Sequence, residues 1–265
     1  MERLSNLFFE LSHEDRLTIL AILSRAPKKL TQIASDMDSS SQEVYRHISR
    51  LVDSGLVTKN SDGDYMITPY GSQVMKLVPG YGFLLEHSEY FVTRDLSLIP
   101  ETFSLRIGEL SESQLVNDVM ITLFDIEQLL NDADEYFCAT MNQMVMNLYK
   151  PMADAVDRGV EIKVMRPKGW KLSEDIAKRI GDELLGKVLK QIQEGKILQR
   201  EPDIVPVFMA FNEKEVGALS FANLDGELDY LAFKSKDDRA HKWCKDLFDE
   251  IWENSPKGEV RVKVS

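Results

Sequence analysis

The chain has 265 residues, with 32 Lys and Arg against 44 Asp and Glu and a formal net charge of −12. That charge excludes a general binder of nucleic acid or anionic membrane, and a hydrophobic content of 43% excludes a disordered chain. No apolar stretch reaches the ~20 residues of a spanning helix, and acids within the opening run MERLSNLFFELSHEDR exclude a signal peptide.

Ser12, followed three residues later by Asp15, reads as the start of a helix in LSHEDRLTILAILSRA, with Leu17, Leu20 and Ala21 at helical spacing. LTQIASDM is a second, short helix. Ser40 and Glu43 form a capping box for a third, which runs to about Ser54 and ends at Gly55 in the C′ position. LVTKN and YMIT are short strands joined around Asp62-Gly63. Thr68 and Pro69 open another helix, which Pro79-Gly80 and Gly82 are expected to break. Residues 83–112 read as helices with a kink at Pro100. From Leu115 helices and strands alternate. EYFCATM, VEIKVMRP, KILQRE, VPVFMAFN, EVGALSFA and LDYLAFK are the strands. A long helix capped by Ser173 runs to about Glu194, and a final one is capped by Ser235 and Asp238. This alternation predicts an α/β domain around a mixed sheet. The expected organisation is a small α+β reader over residues 1–78, a helical connector and dimer element over 79–114, and an α/β sensor over 115–265.

At ~100° per residue, the helix after Ser40 places Val44, Ile48, Leu51 and Val52 on one face, which must be buried. Gln42, Arg46, Ser49, Arg50 and Asp53 fall opposite, with His47 on the flank. The stripe Gln42, Arg46, Ser49 and Arg50 offers donors suited to base edges or phosphates. Two such cations are common on any solvated helix face. What singles them out is the order helix, helix, helix, hairpin, helix, with a turn signal at each boundary, as in a winged helix-turn-helix whose third helix reads DNA. The candidate DNA-binding residues are Ser41, Gln42, Tyr45, Arg46, Ser49, Arg50 and Lys59. The first 70 residues hold eight basic and ten acidic side chains, and the hairpin tip carries Asp62 and Asp64, so the helix rather than the wing is expected to supply affinity.

LTQIASDMDSSSQEVYRHISRLVDSGLVTKNSDGDYMITPYGSQV resembles winged-helix regulators of bacteria and archaea through T-x-x-I-A, H-I-x-x-L, GLV and ITPYG in this order. HSEYFVTRDLSLIPETFSLRIGEL resembles the middle segment of archaeal Fil-type regulators, named for methanogenesis control, in R-D-L-S-x-I-P and R-I-G-E-L. That resemblance implies an α/β sensor similar to the effector domain of TrmB-like regulators and related in fold to phospholipase D, and GVEIKVMRP fits it. Phosphodiesterase chemistry of that type needs His with Lys two residues on. None of His13, His47, His87 and His241 has it, so the fold is expected to be catalytically degenerate, with no catalytic residues. No phosphate-binding loop, dinucleotide glycine pattern or zinc spacing occurs, so neither a cofactor nor a metal is expected.

Cys138, Met141, Met144 and Met146 could gather as soft ligands for Cu(I), although apolar packing explains them better. With Cys244, Cys138 reads as a reduced thiol of a cytoplasmic protein. A small ligand would sit beyond the carboxyl ends of the first two sheet strands, which makes Thr140, Asn142, Arg166 and Lys168 the candidate ligand-binding residues. The expectation is a homodimeric regulator of operator DNA, responsive to a small-molecule effector and without a membrane partner. The alternatives are a protein-interaction module built on the winged helix and a copper-responsive regulator.

Overall fold

The computed structural model describes residues 1–141 and 146–258, which divide into two units, residues 1–81 and 82–265. In the first unit α1 (Glu2–Leu11) precedes the expected elements. The sequence does not signal it, because its apolar side chains follow no cap, and the helix buries no residue fully. Then come α2 (Glu14–Arg25), α3 (Leu30–Asp36), α4 (Ser41–Asp53), the hairpin β1 (Val57–Lys59) and β2 (Tyr65–Ile67), and α5 (Pro69–Glu86). Ile19, Leu20, Leu23, Ile33, Val44, Ile48, Leu51 and Leu56 form the core between the helices and the hairpin.

Two boundaries differ from expectation for local reasons. His13, not Ser12, caps α2, its Nδ1 accepting the Asp15 N–H at 3.3 Å. The α5 helix does not break at Pro79 but continues through it to Glu86. An internal proline removes one helical hydrogen bond at a cost of about 3 kcal/mol, a local loss that burial of Phe83 one turn later helps to offset. The hairpin turn is also longer than two residues. Asn60 Oδ1 accepts the N–H groups of Asp62 and Asp64, and Gly63 takes a φ of +86°.

The second unit continues with α6 (Ser88–Phe91), α7 (Glu101–Leu105), β3 (Gln114–Val116), α8 (Val119–Asp132), β4 (Tyr136–Thr140), α9 (Tyr149–Asp157) and β5 (Glu161–Met165). It ends with α10 (Glu174–Ile180), α11 (Asp182–Gln193), β6 (Ile197–Arg200), β7 (Val207–Asn212), β8 (Val216–Phe221), β9 (Ala232–Ser235) and α12 (Asp238–Glu253). Gly181, at φ +87°, divides the expected single helix after Ser173, and Asp237 is the cap of α12. The strands form one mixed sheet in the order β3-β9-β8-β7-β4-β5-β6, parallel among β4, β5 and β6 and antiparallel elsewhere. The fold class is therefore a helix-turn-helix unit followed by an α/β unit with a mixed sheet.

Both faces of the sheet are covered, as the period of two requires. Phe208 and Ala210 of β7 join a core with Ile126, Leu129, Met152 and Val188 of α8, α9 and α11. Val207, Met209 and Phe211 join the opposite core, with Trp243, Leu247 and Phe248 of α12. The expected separate connector over 79–114 is absent. Phe83, Tyr90, Ile99, Phe103, Ile107 and Leu110 are buried in that second core, so most of the segment belongs to the α/β unit. The motif residues of this stretch do structural work. Arg94 is buried, 2.8 Å from Asp229 and stacked 4.1 Å over the Tyr90 ring. Arg106 pairs with both Glu109 and Asp246. Among the described residues no helix is long and apolar enough to cross a membrane.

Candidate nucleic-acid interface

The α4 helix is set by its caps. Ser40 Oγ accepts the Glu43 N–H at 3.2 Å, and Gly55 leaves the helix at φ +75°. Its buried face is Val44, His47, Ile48 and Leu51. Val52, placed on that face by the wheel, is exposed, and His47, placed on the flank, is buried at 4%. The apolar stripe is thus rotated toward α2, which packs against α4. A wheel assumes a flat neighbour and could not anticipate this.

The opposite face carries the predicted reading residues. Ser41, Gln42, Tyr45 and Arg46 are exposed, and Ser49 is half-buried. Ser40, Gln42, Glu43, Tyr45, Arg46 and Ser49 line one open depression of about 540 Å³. The Arg46 side chain is 70% exposed, with only a 3.8 Å approach to Glu43. Ser49 Oγ donates back to the Tyr45 carbonyl at 2.9 Å. These side chains project outward together, as direct readout of base edges requires.

Arg50 departs from the expected stripe. Its guanidinium clasps Glu10 of α1 in two hydrogen bonds, Nε to Oε2 at 3.1 Å and Nη2 to Oε1 at 2.6 Å, and it lies 5.1 Å over the Phe9 ring. The Arg50 hydrogen bond holds the Glu10 carboxyl below its ordinary range, and Glu10 in turn holds the Arg50 guanidinium above its own. Arg16 completes the cluster, 3.1 Å from Glu10 and donating to the carbonyls of Phe9 and Glu10 at the end of α1. The stripe read from the sequence therefore holds one outward cation, Arg46, and one that is engaged within the protein. The partner of Arg50 lies on α1, a helix that carries no cap signal in the sequence. Lys59 is exposed on the wing, its Nζ 5.2 Å from the Tyr65 ring centroid, and Asp62 and Asp64 stand at the tip.

The described ligand candidates, Thr140, Arg166 and Lys168, lie in different surroundings. Thr140 is buried in the sheet, where its Oγ1 donates to the Val207 carbonyl at 2.6 Å and accepts the Met209 N–H at 3.0 Å. Its hydroxyl spans β4 and β7 and cannot face a ligand. Lys168 is exposed, 3.3 Å from Asp203. Asn142 and Met144 lie outside the described residues. Arg166 is half-buried, 4.5 Å over the Trp170 ring, and its Nε has no hydrogen-bond partner. Burial pushes its pKa down, against the opposing pull of Tyr149 and the Glu201 carboxylate. A larger cleft, about 810 Å³, opens elsewhere, between α8 and the β3-β9 edge, and is lined by Gln114, Asp125, Gln128, Lys234 and Arg239. The copper grouping also fails, since Cys138 and Met141 belong to opposite cores and Met146 is exposed. Burial pushes the Cys138 thiol up to about 12.

Residues 11–60 match the model of a helix-turn-helix domain. This span covers α2 to α4 and the first strand of the wing. No curated protein matches the chain. Among solved structures, TrmBL2, described as an archaeal chromatin protein with a novel mode of DNA binding, is 17% identical with a TM-score of 0.43, over 91% of this chain and 92% of its own. The phospholipase D family member Nuc from Salmonella typhimurium is 10% identical with a TM-score of 0.37, over 51% of this chain and 88% of its own. PigF, solved with SAH, is 14% identical with a TM-score of 0.25, over 76% of this chain and 60% of its own. At TM-scores below 0.5 these likenesses define neither fold nor activity.

Proposed function

We propose that this chain is a cytoplasmic, non-enzymatic transcriptional regulator that binds operator DNA through α4, acts as a homodimer and responds to a small-molecule effector held by its α/β unit. The observation that carries the reading is the two-sided construction of α4. One face is consumed by the core of a helix-turn-helix domain, and the other presents Ser41, Gln42, Tyr45 and Arg46 outward. The acidity of the rest of the chain suppresses nonspecific association with the polyanion.

With Arg50 engaged by Glu10, a single copy offers few phosphate contacts, which favours two copies reading two half-sites. The first unit leaves Leu4, Phe8 and Phe9 of α1 and Leu77 and Tyr81 of α5 exposed, with Phe8 edge-on to Tyr81 at 6.2 Å. This apolar surface suits a dimer interface, and Leu85, Val92 and Leu105 of the 83–110 stretch are also exposed. For the effector, Arg166 on Trp170, with an unpaired Nε, suits an anionic group.

The test is a salt series on the DNA fragment upstream of the chain's own coding sequence. Specific binding weakens steeply as salt rises, through counterion release. A second reading, a winged helix that binds protein, is favoured by the engagement of Arg50 and the acidic wing tip. It predicts no promoter shift even at low salt.

A further inference from the structure

We propose that the helix-turn-helix unit contains a transition-metal site formed by His13, Asp15 and His47, suited to Zn²⁺ or Co²⁺ and joining the start of α2 to α4. The site stands independently of the DNA-binding reading. His47 Nε2 lies 3.3 Å from Asp15 Oδ2, and His13 Nδ1 lies 3.7 Å from the same oxygen. One ligand atom from each residue falls within 4.8 Å of the others, and the two imidazole centroids are 4.5 Å apart.

The decisive observation is His47. Its side chain is 5% exposed, yet neither ring nitrogen has a hydrogen-bond partner. Buried polar atoms are almost always paired, so a ring with an unpaired Nδ1 and an Nε2 that meets Asp15 at 3.3 Å without hydrogen-bond geometry needs a reason. An imidazole facing a second imidazole and a carboxylate is a metal-ligand set, with nitrogen and oxygen donors that suit borderline divalent ions. Donors around a tetrahedral ion with bonds of about 2.1 Å sit roughly 3.4 Å apart. The two separations to Asp15, 3.3 and 3.7 Å, are close to that, and rotation of the exposed His13 ring would bring the third donor in from within 4.8 Å.

His13 and Asp15 are 43% and 39% exposed in their side chains, which leaves an entry path for the ion and room for water at the remaining position. The long cap bond from the Asp15 N–H to His13 Nδ1 is the contact that a metal bound at that nitrogen would displace. Three ligands from two helices would fix α4 against α2, so occupancy stabilises the folded unit.

The full-length chain, stripped with chelator and titrated with CoCl₂, should develop d–d absorption that saturates at one ion per chain. ZnCl₂ should bleach that absorption and raise the melting temperature. His13→Asn, which keeps an oxygen to cap α2, and Asp15→Asn should each weaken Co²⁺ binding by more than about 100-fold, since even outer-shell partners cost 10–100-fold. Both variants should keep the metal-free melting temperature and circular dichroism. Absence of Co²⁺ absorption, or absorption undiminished in both variants, would overturn the site.

Discussion

Arg46 and Arg50 are the same residue type one helical turn apart, and their surroundings assign them different work. Arg46→Ala should lower specific operator affinity by about 1–3 kcal/mol, the worth of one good base contact, with circular dichroism unchanged. A footprint and affinity equal to wild type would remove α4 as the reader. Arg50 belongs to a stability argument instead. Glu10 titrates below its ordinary value of 4.5 because Arg50, and secondarily Arg16, favour its charged form. Its contribution is therefore fully present above about 4.5 and is lost as pH falls through the lower folded-state value. Glu10→Gln should flatten the acid limb of the stability curve while changing its neutral-pH shape little, measured by urea unfolding from pH 3 to 7. An acid limb as steep as wild type would show that the clasp does not form in solution. The sequence revealed the donors on α4 but not this division of labour, because the acceptor sits on a helix 40 positions away. His47 escaped for a similar reason, since its partners His13 and Asp15 lie in no short ligand pattern.

At the level of elements, the junction of wing and α5 has the least slack. A Cβ at Gly71 would stand 2.3 Å from the Leu56 carbonyl oxygen and 2.9 Å from Ile67 Cγ1. Thr68 ties the same corner, its Oγ1 donating to the Gly55 carbonyl and accepting the Gly71 N–H. Gly71→Ala should destabilise the first unit by about 1–3 kcal/mol, as overpacking does, because the nearest atom is backbone and cannot rotate away. A melting temperature equal to wild type would mean that the corner relaxes freely. This gives a physical content to ITPYG, whose glycine is a spacing requirement. Elements with both ends signalled were legible in the sequence: α4 between Ser40 and Gly55, β7 as a continuous apolar run, and α12 as a capped amphipathic helix. Elements decided by distant packing were not. Pro79 reads as a stop, yet α5 passes through it to bury Phe83. β3 is three residues long and exists through its pairing with β9. In the 83–110 stretch Phe83, Tyr90, Ile99, Phe103, Ile107 and Leu110 are drawn into the core of their own unit, while Leu85, Val92 and Leu105 stay exposed.

For the whole molecule, dimerisation and effector binding are directly measurable. Light scattering should give a dimer at micromolar concentration, and Phe8→Glu with Leu77→Glu should convert it to a monomer that binds a single half-site weakly. A wild-type monomer would end both the dimer and the expectation of a palindromic operator. For the effector, a thermal-shift screen of anionic metabolites on the full chain should find a stabilising compound whose shift disappears in Arg166→Ala while effector-free DNA binding persists. If no compound stabilises the protein and cell extract leaves DNA affinity unchanged, the α/β unit is a scaffold. The distribution of sulfur offers a way to watch any such response. Both thiols, Cys138 and Cys244, lie in the second unit, buried and raised in pKa by burial, so neither offers an accessible thiolate at neutral pH. A single cysteine placed at the exposed Ser41 would then be the only fast-reacting group in the chain. A fluorophore or spin label attached there would report on the recognition helix alone, in an otherwise native background.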